Sequence, residues 1–464
     1  MFRPGEPVTF GQRFADYQGR PHVIQAIDLQ RVAAALESAP TVAYSAPHDY
    51  PHAAAMFQSA PRAERESIAA AAMRLYIHIP FCNYACSFCC YAKHVGANWA
   101  EMQRYVRALT TELEWVPKGT PLSQFFMGGG TPTALPAPLL DELLGAIAIR
   151  MPYAGDGVHT VEASPDSVSD EHLAVLQRRA VGRISMGIQS LQDQVLDAVR
   201  RTHGPQTALD ACQRIVAQGF ILNIDLMYGL PGQTEQGLRS DFELAARHGV
   251  HAVTAYNLRL NEHTPVARTL SPSERFSLSG LMRWRAFLRD LAKDLGYTQT
   301  RWHTFKQLDG IAVKHRRLPT AGADLRGYQF GIGLSARSSL GHSVYRNHRG
   351  RTTYVQRVES GQSPVEELIH MQPADLQTQY IARTLGDGQP LSLPDYEALF
   401  GHSLLEEHGV IIERLLGGDL LQGDGRQLAL TETGKLVYDL VMLAFYPPAA
   451  KAWLLGRLKT FQVA

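Results

Sequence analysis

Between Arg74 and about Trp302 the chain alternates short apolar runs with longer stretches in which apolar residues recur at helical spacing. Such alternation predicts repeated β-α units, and therefore a parallel sheet with helices packed on its faces. The predicted strands are Leu75–Ile79, Phe125–Gly128, Thr160–Ala163, Arg183–Gly187, Leu222–Leu226 and Ala252–Asn257. Six units with no obvious further pair imply an α/β fold, an incomplete (β/α)6 barrel open along one side. In barrels of this kind chemistry sits at the C-terminal ends of the strands.

The flanking segments read differently. Residues 1–73 form a mixed extension with an Ala-rich helical pattern near Leu29–Glu37 and a Pro/His/Tyr segment from Ser45 to His52. The barrel takes 74–302, a barrel-flanking linker and substrate region takes 303–375, and a separate module takes 376–464. In that module Pro394–Leu421 is predicted helical, with Pro394 suited to the first turn.

Cysteine placement supplies the first chemistry. Cys82, Cys86 and Cys89 follow the first predicted strand at C-x3-C-x2-C spacing, so the triplet lies at the functional end of the barrel. Three thiolates there can hold three corners of an iron–sulfur cube and leave the fourth iron open to a small molecule. Structural zinc is a rival reading, but it usually wants four ligands in two separated pairs. A disulfide framework needs more than the five cysteines present, of which Cys90 adjoins the triplet and Cys212 stands alone.

Composition narrows the classes. A net charge of +1 leaves no basic footprint for nucleic acid. No uncharged apolar run is long enough to span a bilayer, and the first residues contain no apolar signal core. Cytoplasm is the expected compartment, with a small molecule as substrate.

Further candidates fall at the ends of later strands. Gly128, Gly129 and Gly130, followed by Thr131, leave backbone amides open and let main chain approach a ligand closely; the same run also suits a tight turn with positive φ. Glu162 ends the third strand, where a carboxylate can accept from ribose hydroxyls. Asp225 interrupts a buried strand and needs a partner to be tolerated there.

Four segments together carry a resemblance: Tyr76-Ile-His78-Ile-Pro-Phe-Cys82, Gly128–Thr133, Arg183–Ser190 and Asn223–Thr234. They resemble the radical S-adenosylmethionine (SAM) superfamily, and within it the oxygen-independent coproporphyrinogen III oxidase family, which includes heme chaperones and class C radical SAM methyltransferases. The resemblance implies a radical SAM barrel, a [4Fe-4S] cluster on the three cysteines, one or two molecules of SAM, and an electron donor such as flavodoxin or ferredoxin. It implies that Gln189 and Asp225 line the SAM site, that the glycines hold the amino group of SAM, and that Tyr76 and His78 lie near the cluster or a second SAM. A cap of a helix or turn is the plain alternative for Gln189 and Asp225. Arg201 and His203 follow the family layout too, although such a pair also matches a helix dipole. The C-terminal module resembles a small winged helix that acts as a lid.

Two departures shift the expected reaction. The oxidases place a fourth cysteine two residues beyond the third, where this chain has Tyr91. Their Phe-Gln-Gly-Tyr-Thr-Thr stretch is replaced by Leu325-Arg326-Gly327-Tyr328. The expectation is therefore C-methylation of an sp2 carbon on an aromatic, quinone or heterocyclic substrate, with porphyrinogen decarboxylation as the alternative. Tyr76, His78 and Tyr91 are the candidates for proton handling, His78 because imidazole titrates near neutrality, with a hydrogen-bonded barrel histidine as its equal alternative. A heme chaperone is a third possibility, with His348 in Tyr345–His348 as the axial candidate.

Overall fold

The structure is a computed structural model that describes residues 27–36, 73–155, 157–259, 264–270, 278–307, 329–340, 343–386, 388–448 and 451. Ser45–His52 and Leu325–Tyr328 lie outside the described residues.

All six expected strands form, each at or slightly beyond its expected bounds. In chain order the first strands are β1 (Met73–Ile79), the two-residue β2 (Phe81–Cys82) and β3 (His94–Val95), β4 (Leu122–Gly129), β5 (His159–Ala163), β6 (Val181–Gln189), β7 (Ile221–Tyr228) and β8 (Ala252–Asn257). β1, β4, β5, β6, β7 and β8 pair in parallel in that order. Helices on their outer face are cut by local signals. Asn98 and Glu101 make a capping box at the start of Trp99–Leu113, and Pro205 opens Pro205–Ala217 after Gly204. Leu75, Ile77, Ile184, Leu222 and Ile224 are fully or almost fully buried between sheet and helices.

The region beyond 302 does more than link. β9 (Thr298–Arg301) and β10 (Thr304–Lys306) form a hairpin that pairs with β8, while β11 (Gln329–Ile332) adds in parallel to β1. β12 (Arg337–Leu340), β13 (Ser343–Asn347) and β14 (Val365–His370) continue outward as an antiparallel meander. Twelve strands thus form one sheet, and both exposed edges of the half-barrel gain hydrogen-bonded neighbours. A buried carboxylate ties this addition down: Glu112 accepts from Gly333 N–H at 2.8 Å, Asn347 Nδ2 at 2.8 Å and the Tyr354 hydroxyl at 2.6 Å. Three donors satisfy a charge that is otherwise costly to bury.

A second core lies in the C-terminal module and takes in helix Leu29–Leu36 from the N-terminal segment. There β15 (Leu391–Ser392), β17 (Gln427–Leu430) and β16 (Leu421–Gly423) form a small sheet in that spatial order. The single helix expected over Pro394–Leu421 is two, Leu393–Phe400 and Leu404–Gly417, because Gly401 takes a left-handed φ of +80° and ends the first. Among the described residues no helix is long and apolar enough to cross a membrane.

Arg285 latches the two cores together. Its guanidinium grips Asp439 at 2.8 and 2.6 Å, donates to Leu436 O at 2.9 Å and meets the Tyr228 hydroxyl at 3.2 Å, with both charged side chains buried. Breaking one side strands the other charge. Arg285→Met should therefore cost about 3–5 kcal/mol in urea unfolding, and adding Asp439→Leu should recover most of it.

Candidate radical SAM site

The cysteine loop leaves β1 through Pro80 and returns at His94, whose N–H donates to Pro80 O at 2.7 Å. Cys82, Cys86 and Cys89 are partly buried, Cys90 is exposed, and all are unpaired thiols. Within the loop Cys89 N–H donates to Cys86 O at 3.3 Å, and Lys93 Nζ binds Cys89 O at 2.8 Å. Donors approach two sulfurs from outside: Thr131 Oγ1 lies 3.7 Å from Cys82 Sγ, and Arg201 Nη1 lies 3.4 Å from Cys86 Sγ. Among the described residues no three Cys, His, Asp or Glu side chains converge tightly enough to hold a single metal ion. Three free thiols on one loop, two of them met by hydrogen-bond donors, are a donor set that could hold three corners of a cluster.

The glycine run is pressed against this loop. Gly130 N–H donates to Ile79 O and Thr131 N–H to Phe81 O, both at 2.7 Å. A Cβ at Gly130 would stand 2.7 Å from Phe81 O, one at Gly129 2.6 Å from His78 Cε1, and one at Gly128 2.6 Å from Glu162 Oε2. Gly129 also has φ +112°, a conformation open to glycine. One expectation is corrected: the amides of 129–131 are not open, since Gly129 N–H is taken by Glu162 Oε2 at 3.2 Å, Gly130 N–H by the end of β1 and Thr131 N–H by β2. The close approach made possible by the glycines is to the protein's own chain.

Along the inner face, polar side chains form a connected row. Asn223 Nδ2 donates to Asp225 Oδ1 at 2.9 Å and Ser185 Oγ at 3.0 Å, Ser185 Oγ reaches Asp225 Oδ2 at 3.4 Å, and Thr254 Oγ1 donates to Asn223 Oδ1 at 3.0 Å. Asp225 is therefore a mid-strand carboxylate in a network and not a cap. Burial raises its pKa to about 6, against the opposing pull of Arg183 and its hydrogen bonds. Burial, then the charge of Asp225, raises that of Glu162 to about 8. Gln189 ends β6 at φ +74°, where a register shift against β7 marks a bulge. It caps no helix, and among the described residues its side-chain amide has no hydrogen-bond partner.

Tyr76 and His78 lie side by side, with Tyr76 Oη 3.3 Å from His78 Nδ1 and His78 Nε2 3.1 Å from Ala92 O. The carbonyl requires a proton on Nε2, which leaves Nδ1 to accept from the phenol. Of the two readings of His78, the geometry favours the hydrogen-bonded barrel histidine. Burial lowers the His78 pKa to about 4, so it is a neutral, hydrogen-bonded barrel histidine and does not titrate near neutrality. Burial, Glu162 and Tyr91 hold the Tyr76 phenol far above its usual range. Tyr91 is 68% exposed at the mouth. Arg201 serves the site where a helix-dipole match had been the plainer reading. Its guanidinium lies 5.1 Å from the Tyr84 ring centroid, binds Gly187 O and Cys86 Sγ, and keeps a buried Nε without a partner. The family layout had already pointed to Arg201.

A half-barrel with a three-cysteine loop at the end of its first strand defines the radical SAM class, and residues 76–245 match the Radical SAM superfamily model. Such proteins hold a [4Fe-4S] cluster and SAM. The chain is 29% identical to the heme chaperone HemW of Lactococcus lactis over 77% of this chain and 93% of that protein. It is 24% identical to the oxygen-independent coproporphyrinogen III oxidase of Pseudomonas aeruginosa, over 80% of this chain and 85% of that one. The Escherichia coli coproporphyrinogen III oxidase HemN, a radical SAM enzyme, superposes with a TM-score of 0.75 at 22% identity, covering 86% of this chain and 96% of that chain. Residues 76–245 thus carry a Radical SAM domain, and most of the chain is similar to HemW heme chaperones and oxygen-independent coproporphyrinogen III oxidases.

Two predictions follow from this geometry. After anaerobic reconstitution, Gly130→Ala should hold clearly less iron than the wild type, whereas Cys90→Ala should hold the full amount; iron assay and the visible spectrum check both. Glu162 has a folded-state pKa above its ordinary 4.5, so its ionisation opposes folding. Its contribution is intact below pH 4.5 and lost as pH rises through about 8, so in the apoprotein Glu162→Gln should raise Tm at pH 9 and leave it unchanged at pH 4.

Proposed function

We propose that the chain methylates an sp2 carbon of an aromatic, quinone or heterocyclic substrate. The observation that carries this reading is at the mouth, where exposed Tyr91 occupies the place of the oxidases' fourth cysteine, and exposed Cys90 stands one residue earlier. The bound cluster and SAM supply a 5′-deoxyadenosyl radical. The chain's own groups bind, orient and shield. An amino group donates, so carbonyl oxygens of the glycine run would hold the amino group of SAM. Glu162 accepts from the ribose hydroxyls, and Gln189 and Asp225 complete the seat. Asp225 is held in place by Asn223 and Ser185. Arg201 donates to a cluster thiolate, which lowers the sulfur's electron density. With His78 locked neutral, Tyr91 at the mouth is the group placed to pass a proton to solvent.

The chaperone reading is supported by the likeness to the heme chaperone HemW of Lactococcus lactis, and its candidate axial residue His348 is partly exposed at the end of a segment that is otherwise engaged in the fold. Tyr345 and Asn347 are buried in β13, Asn347 binds Glu112, Arg346 pairs with Glu367, and His348 lies 3.5 Å from Glu366. Porphyrinogen decarboxylation stays as the second reading, supported by the likeness to the Pseudomonas aeruginosa oxidase along most of both chains.

Methyl-labelled SAM separates them. The reduced, reconstituted protein is incubated with a naphthoquinone, heme or coproporphyrinogen III, and products are resolved by mass spectrometry. Methyl transfer puts label into an acceptor, whereas decarboxylation leaves it all in methionine. A stable heme Soret band without 5′-deoxyadenosine would instead return the chaperone reading.

A further inference from the structure

The turn between Cys82 and Cys86 is held by the loop that follows β5. Among the described residues no bond from main chain to main chain anchors residues 83–85, and two side chains do so instead. Asn83 Nδ2 donates to Asp166 Oδ2 at 3.0 Å, and the Tyr84 hydroxyl donates to Asp166 Oδ1 at 3.4 Å. The Tyr84 ring in turn faces the Arg201 guanidinium, whose Nη1 lies 3.4 Å from Cys86 Sγ. One carboxylate thus gathers both polar side chains of the turn.

The same carboxylate ends a row of hydroxyls. Ser164 Oγ spends its one proton on Asp166 Oδ1 at 2.8 Å, so at its 2.9 Å contact with Ser167 Oγ it can only accept. Ser167 Oγ also lies 2.5 Å from Thr133 Oγ1, at the end of the segment that opens with the glycine clamp. Three loops, those after β1, β4 and β5, therefore meet in one network. Thr133 and Ser164 are buried in it, while Asp166 stays exposed at its end. A charged terminal acceptor strengthens such bonds and orders the row. Its three donors need both carboxylate oxygens; an amide would offer one oxygen and turn a donor toward another.

We propose that Asp166 is a positioning residue for the cluster: it pins the turn between Cys82 and Cys86 to the segment behind the glycine clamp, and so governs how readily the cluster is lost. The inference rests on the reading of Cys82, Cys86 and Cys89 as cluster ligands. Asp166 touches no sulfur itself. It acts through Asn83, next to Cys82, and through Tyr84, whose ring meets the Arg201 donor to Cys86. A turn released from Asp166 can swing, and a thiolate that swings away opens its iron to solvent. Groups that orient metal ligands from outside typically change metal affinity by about tenfold or more.

The test times iron release from the anaerobically reconstituted full-length protein to a ferrous chelator, bathophenanthroline disulfonate. Asp166→Asn should release iron about tenfold faster than the wild type. The Tm of the apoprotein should not change, because the carboxylate is exposed and no core contact is lost. Adding Asn83→Asp to Asp166→Asn exchanges donor and acceptor, and should return the rate most of the way to that of the wild type. Asn83→Ala reaches the same contact from the other side and keeps the test valid if Asp166→Asn fails to fold. Release at the wild-type rate in both single variants overturns the proposal. So does a lowered apoprotein Tm in both, which would make the network a general prop of the fold, and so does a double variant no slower than Asp166→Asn. The cluster reading fails separately, when the wild type itself takes up no iron; failure of the clamp alone shows as a wild type that loads and variants that match it.

Discussion

Positions 128–130 have no room for a side chain, and the site depends on that constraint. At each of them a Cβ would come within 2.7 Å of Glu162, His78 or Phe81. The end of β4 can therefore lie directly on the end of β1, with Ile79 O and Phe81 O accepting its amides. This contact fixes the start of the cysteine loop relative to Glu162. Cluster and SAM would then meet across main chain, which has far fewer ways to move than side chains do.

A second constraint comes from the polar row inside the barrel. Ser185, Asn223, Asp225 and Thr254 lie on three adjacent strands and satisfy one another, so the lumen stays polar without letting the sheet collapse onto it. Two carboxylates with raised pKa values are the cost of keeping that space for a ligand. Stability is recovered elsewhere, in the Glu112 network that seals the β1 side and in the Arg285–Asp439 latch that holds the C-terminal module.

The legible parts were those with local signals. All six parallel strands could be read from alternating apolar runs, and the candidate cluster cysteines stood out by their spacing. The chain's continuation into β9–β14 was not legible, because short strands such as Thr304–Lys306 carry no periodicity and are specified by the edges they cover. Gly401 split a helix that read as continuous, since glycine within a helical pattern does not announce a left-handed φ. At the site, the place of Glu162 at a strand end and the family resemblance for Gln189 and Asp225 singled these residues out, but neither conveyed burial. His78 is the clearest case: its identity suggested titration near neutrality, and its 4% exposure removes it. Arg201 was underread for the same reason, since its contacts with Cys86 and Gly187 come from loops and strands distant in sequence.

The central claim is that Cys82, Cys86 and Cys89 hold a cluster with one iron open to SAM beside the glycine clamp. Electron paramagnetic resonance of the dithionite-reduced, reconstituted protein addresses it directly, before and after addition of SAM carrying 17O in its carboxylate. The account predicts a [4Fe-4S]+ signal that changes shape on addition, with 17O hyperfine coupling from the bound carboxylate. A cluster signal indifferent to SAM, or no cluster signal at all, would contradict it.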